Sequence, residues 1–160
     1  MFSFSPIFLS ILINLVSDSP SIAVNAQQIV IKARHLGCNL QGWEVAETSH
    51  FLIFHNQEKD IVEKVARIAE ETRMAMFRKW FGSDGDAWIP KCEIILHATG
   101  KDYTSRTGVS YESPGHISIA FDQTSQRVVV RRMDLHCDIS NMIEVVLPHE
   151  TTHTVMAGQF

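Results

Sequence analysis

Between Lys59 and Phe81 the apolar residues Ile61, Val65, Ile68, Ala69, Met76, Phe77 and Trp80 recur at steps of three and four, with Glu, Lys and Arg between them. That spacing predicts one long amphipathic helix, whose apolar stripe needs a second layer to cover it. Glu63 and Arg67 stand at i,i+4 on the polar side, a small stabilising pair. The stretches around the helix have a different period. Trp43–Ala46, Phe51–Phe54 and Lys91–His97 are short apolar runs, and His116–Phe121 and Arg127–Leu135 alternate or are rich in valine. These read as strands, the last two joined by the polar turn Asp122–Gln126 into a hairpin. Lys101–Thr107 fits one or two helical turns ended by Gly108, and Pro114-Gly115 marks a turn. The expected class is therefore α+β, strands with one long helix and a later, shorter one.

That later element runs from about Ser140 to Met156, with Ser140 as its expected N-cap and Met142, Ile143, Val146 and Leu147 on its apolar face. Pro148 lies inside it. Lacking an N–H, proline cannot donate to the carbonyl of Glu144, so a straight and regular helix is not expected there.

The first residues do not read as domain sequence. Phe2–Val16 carry no charge, a polar stretch follows, and Val24-Asn25-Ala26 offers small residues around a cleavage point after Ala26. This is the pattern of a secretory signal, although no Lys or Arg precedes the apolar run. The run is short for a bilayer span. Residues 1–26 are thus expected to direct export and to be removed, 27–42 to form an N-terminal segment, and 43–160 the domain. With 160 residues, 45 % apolar and 20 % charged, one packed domain is expected. The net charge of −4 and the scattered basic residues argue against nucleic acid or an anionic membrane surface as partner.

Cys38, Cys92 and Cys137 allow one disulfide in an exported chain, with Cys92 and Cys137, at strand ends, the favoured pair; three buried thiols is the alternative. Without a C-x-x-C, a cysteine-type zinc site is not expected. Gly82–Asp86 has loop chemistry but no acidic residue closing a calcium-loop frame.

The chemistry-bearing motif is His149-Glu150-Thr151-Thr152-His153. On a helix, His149 and His153 share a face one turn apart, so two imidazole nitrogens can converge on one Zn²⁺ at about 2.0–2.1 Å. Glu150 follows the first histidine and can take a proton from an attacking water. By residue frequencies alone such a motif arises by chance in a chain of this length on the order of half a per cent of the time, so its setting in an amphipathic helix carries weight. A catalytic zinc normally takes three protein ligands. The metzincin continuation is excluded, because Met156 and Gln159 stand where glycine and the third histidine would be. Nothing acidic follows His153 among the seven remaining residues. His35, His50, His55, His97, His116 and His136 have no mutual ligand spacing and read as strand-end or surface residues; Tyr103 or His116 is a weaker candidate for an oxyanion donor.

The segment Val146–Gly158 resembles exported bacterial proteins with a gluzincin-type, peptidase MA-like domain. Phe51–Asn56, Ala69–Phe81, Leu96–Thr99 with Tyr103, and Ser113–His116 are similar to the same family, so the resemblance covers about 43–160. It implies a thermolysin-like N-terminal half, a twisted mixed sheet with the zinc helix packed across it. It also implies a peptide or protein substrate, bound as an added strand along an edge within His116–Asp122 or Arg127–Leu135, and a third zinc ligand, a glutamate on a later helix. That ligand is absent from this sequence. The expectation is an N-terminal portion or a degenerate copy of such a zinc metallopeptidase, inactive or weak by itself; the alternative is an exported, non-catalytic module that binds peptide or protein.

Overall fold

The computed structural model describes residues 31–137 and 140–157. The expected signal segment 1–26, and Gln159 with it, lie outside the described residues.

Six strands form one mixed sheet: β1 Arg34–Cys38, β2 Glu44–Glu47, β3 Phe51–His55, β4 Cys92–His97, β5 Gly115–Phe121 and β6 Val128–His136. Their spatial order is β1-β2-β3-β4-β6-β5. The three central strands β3, β4 and β6 run parallel, and β1, β2 and β5 are added antiparallel at the flanks. The fold is mixed α/β, a six-stranded sheet with three α-helices: α1 Lys59–Phe81, α2 Gly100–Thr107 and α3 Leu147–Ala157. No helix among the described residues is long and apolar enough to cross a membrane.

The parallel centre explains the apolar runs in β3 and β4, since strands covered on both faces need not alternate. Ile53, Ile94, Leu96, Met133 and Leu135 share a core with Val62, Val65, Ala66, Ala69 and Phe77 of α1 and with Leu147 and Val155 of α3. The opposite face carries Glu93, Ile95 and His97 of β4, and α2 meets it there through Asp102 and Tyr103. Thr99 caps α2, its hydroxyl accepting from the amide of Asp102, and Gly108 ends it in the left-handed conformation.

Helix α1 has the bounds its periodicity predicts, but its buried stripe is rotated. Val62, Val65, Ala66, Ala69, Glu70, Arg73 and Phe77 face inward, while Trp80 is exposed. Two charged residues hold places on the inner stripe because each finds partners there. Glu70 accepts from the Thr48 hydroxyl (2.7 Å), the His50 amide (2.9 Å) and the His50 ring (2.7 Å), which ties the β2–β3 turn to the helix. Arg73 donates to the carbonyls of Asp84 and Asp86 in the loop that follows α1.

Within the N-terminal segment 27–42, whose structure the sequence leaves open, residues 34–38 form the edge strand β1, where His35 faces Glu63 at 3.3 Å. The expected cysteine pairing is corrected. The cysteines are thiols, and Cys92 and Cys137 cannot pair. Because β4 and β6 are parallel, Cys92 begins one strand while Cys137 follows the end of the other. Six residues of rise separate them, roughly 20 Å, against a Cα limit near 7 Å for a disulfide. The alternative of three buried thiols also fails at Cys38, which is exposed.

Candidate functional site

The chain enters the motif helix through a π-helical turn, Met142–Val146, preceded by Asn141 with no side-chain cap. Ser140 is therefore not the N-cap. The amides of Val145 and Val146 both reach the Asn141 carbonyl, at 2.9 and 3.4 Å, and that of Leu147 reaches Met142. This wider winding absorbs Pro148. The α-helix proper begins at Leu147, which places the proline in its first turn, where a missing N–H leaves no intrahelical bond unmade.

Helix α3 then presents two sides. His149 and His153 are exposed, while Glu150, Thr151, Thr154 and Val155 are buried. The Nε2 atoms of His149 and His153 face each other at 3.0 Å, with ring centroids 4.5 Å apart. Two nitrogens bound to one tetrahedral zinc at 2.0–2.1 Å stand about 3.3 Å apart, so the rings are within a few tenths of an ångström of that arrangement. The pair fits two positions of a metal site. Among the described residues no group of three His, Cys, Asp or Glu side chains is placed to hold an ion, so the third ligand is not found there.

Glu150 lies on the buried side of the same turn, 8 % exposed. Its carbonyl accepts from the Thr154 hydroxyl at 2.9 Å, one turn on. Its carboxylate charge is felt by Tyr103. The Tyr103 hydroxyl is pushed above its ordinary pKa by burial first, opposed by a hydrogen bond with Ser113, and further raised by the fields of Asp134 and Glu150.

Tyr103 belongs to a polar network that the sequence reading did not assemble. Its hydroxyl lies 3.1 Å from His116 Nδ1, and its ring packs against those of His97, His116 and His136 at 5.1–5.7 Å between centroids. The two residues considered separately as oxyanion donors are thus partners of each other. Tyr103 is fully buried, and His116, on the edge strand, is the more accessible. Behind them Asp134 accepts from His97 Nε2 (2.7 Å) and from Arg132 Nε and one terminal nitrogen (2.7 and 2.8 Å), with His116 Nε2 4.0 Å away. His97 faces Asp102 with its other nitrogen at 3.4 Å. His55, His97 and His136 are at strand ends, as expected, but they are buried rather than at the surface. A usable signal was present in the sequence: Arg132 and Asp134, two apart in a strand, must share a face.

No known protein family, no curated protein and no solved structure matches the chain.

Proposed function

We propose that this chain carries the metal-binding and proton-accepting half of a zinc-dependent peptidase site of the gluzincin type, within a thermolysin-like arrangement of sheet and helix. The observation that carries the reading is the convergence of His149 Nε2 and His153 Nε2 at 3.0 Å, with Glu150 on the adjoining buried flank. His149 and His153 hold the ion, and a third ligand of acidic type comes from outside the described residues. Zinc bound there would polarise a scissile carbonyl and acidify water. Glu150 takes the proton from the attacking water and passes it to the leaving amine. It accepts no hydrogen bond to its carboxylate from the described residues, which leaves its lone pairs for that task.

Substrate is bound in extended form along β5. That strand is at the sheet edge and antiparallel to β6, and helix α3 packs against it. Its outer row of backbone N–H and C=O groups can accept a peptide as a seventh strand. The other strand considered, β6, is enclosed between β4 and β5 and is not available. In this reading the mature chain works outside the cytoplasm, after removal of residues 1–26, on peptide or protein.

The test is zinc-dependent cleavage of a mixed peptide library by the chain and by Glu150→Gln. The reading expects Glu150→Gln to keep zinc and lose at least about a hundredfold in rate, the usual scale for a general base. Cleavage unchanged in Glu150→Gln would overturn it, and tight peptide binding with no zinc bound would point to the non-catalytic module.

A further inference from the structure

Trp88 is buried beside two guanidinium groups. The Arg73 Cζ lies 4.9 Å from the Trp88 ring and 4.5 Å from that of Phe77, and the Arg131 Cζ lies 5.2 Å from Trp88. The two arginines are 2 % and 8 % exposed. Neither makes an ion pair among the described residues. Arg73 is satisfied in part by backbone carbonyls of the 84–86 loop, and Arg131 donates to the carbonyl of Pro90 at 3.0 Å. The Nε of each has no acceptor.

Among the described residues no carboxylate acts on Arg131; Glu70, Asp84 and Asp86 lie near Arg73 instead, with Glu70 bonded to Thr48 and His50 and Asp84 paired with Arg78. Burial pushes the Cys92 thiol up to about 12, so it stays uncharged beside Arg131. A buried cation without a counter-ion is unfavourable, and burial holds both guanidinium groups below their ordinary pKa. Arg131 also lines a cavity of about 300 Å³, whose other walls include Phe77, Phe81, Ser83, Asp86 and Trp88. Aromatic walls with one unsatisfied charged donor are the makings of a small-molecule site.

We propose that this cavity binds a small organic carboxylate, with the guanidinium of Arg131 in its wall facing the anion and the rings of Phe77, Phe81 and Trp88 against its body. A guanidinium suits a carboxylate through parallel N–H donors. Asp86, exposed in the wall, repels added negative charge, so the site favours a monoanion over a phosphate dianion. The site is separate from His149 and His153 and does not depend on the peptidase reading.

The experiment is calorimetric titration with benzoate and with its neutral isostere benzamide. The Arg131 Nε–H resonance, assigned through Arg131→Lys, is followed in parallel by ¹H–¹⁵N NMR. Benzoate is expected to bind saturably, to shift that resonance, and to exceed benzamide at least about tenfold, since a neutral group forfeits the charge-assisted bonds. Arg131→Lys, if folded by circular dichroism, should lose benzoate binding. Asp86→Asn, at an exposed position, should tighten it severalfold. Equal binding of benzoate and benzamide, no benzoate binding, or a folded Arg131→Lys that binds as the parent does would overturn the proposal. If Arg131→Lys does not fold, Asp86→Asn decides: unchanged benzoate affinity would overturn it.

Discussion

Asp134 on β6 and His97 on β4 are held 2.7 Å apart, two positions out of register on neighbouring parallel strands, with Arg132 on the other side of the carboxylate. Burial acting alone would raise the Asp134 pKa. The bonds from His97 and Arg132 outweigh it and hold the carboxyl at about 2. A carboxylate whose folded pKa lies below its unfolded one stabilises the fold above the unfolded value, near 3.9. That contribution is lost as pH falls from about 4 to about 2. Urea unfolding across this range should show stability dropping by about 2 kcal/mol from this group, and Asp134→Asn should flatten that part of the profile. An unaltered acid limb in Asp134→Asn would contradict the assignment.

Glu70 closes a second buried network, and its removal has a distinct signature. Glu70→Ala leaves the Thr48 hydroxyl and the His50 amide and ring without their acceptor at the β2–β3 turn. A loss of about 2–4 kcal/mol is expected, since buried donors are left unpaired. Glu70→Gln keeps the shape and part of the bonding and should cost less. Chemical denaturation of the two variants checks the order.

Gly115 begins β5 packed closely against β6 and the π-helical turn that leads into the motif. A Cβ there would lie 2.6 Å from Leu135 Cδ2 and 3.2 Å from both the Asp134 carbonyl and Val146 Cγ1, the last in the π-helical turn. Leu135 is buried in the core and has little freedom to yield. Gly115→Ala is expected to destabilise by about 1–3 kcal/mol, the usual range for overpacking. If β5 is the peptide-binding edge, Gly115→Ala should also weaken peptide capture in surface plasmon resonance.

The helix α1, the hairpin β5–β6 and the short helix α2 were legible because each rests on local signals: a 3.6-residue period, alternation, and glycine at a helix end. Strand β1 was not, because Arg34–Cys38 has no apolar alternation and is a strand only through pairing with Glu44–Glu47. The rotated stripe of α1 was hidden for a related reason. Glu70 and Arg73 look like surface residues until the partners that bury them, 20 or so positions away or in the next loop, are in place. The approach of His149 and His153 was legible because a four-residue spacing on a helix puts both on one face. The Tyr103–His116 pair and the Asp134 network were not, since residues from β4, α2, β5 and β6 meet only in the folded sheet.

Zinc binding to the folded chain, measured by competition against a chromophoric chelator, tests the central claim most directly. One equivalent of zinc is expected, weakened at least about tenfold by His149→Ala and by His153→Ala and little changed by Glu150→Gln. Zinc bound equally well by the folded double variant His149→Ala/His153→Ala, or no zinc bound by the parent chain, would contradict it.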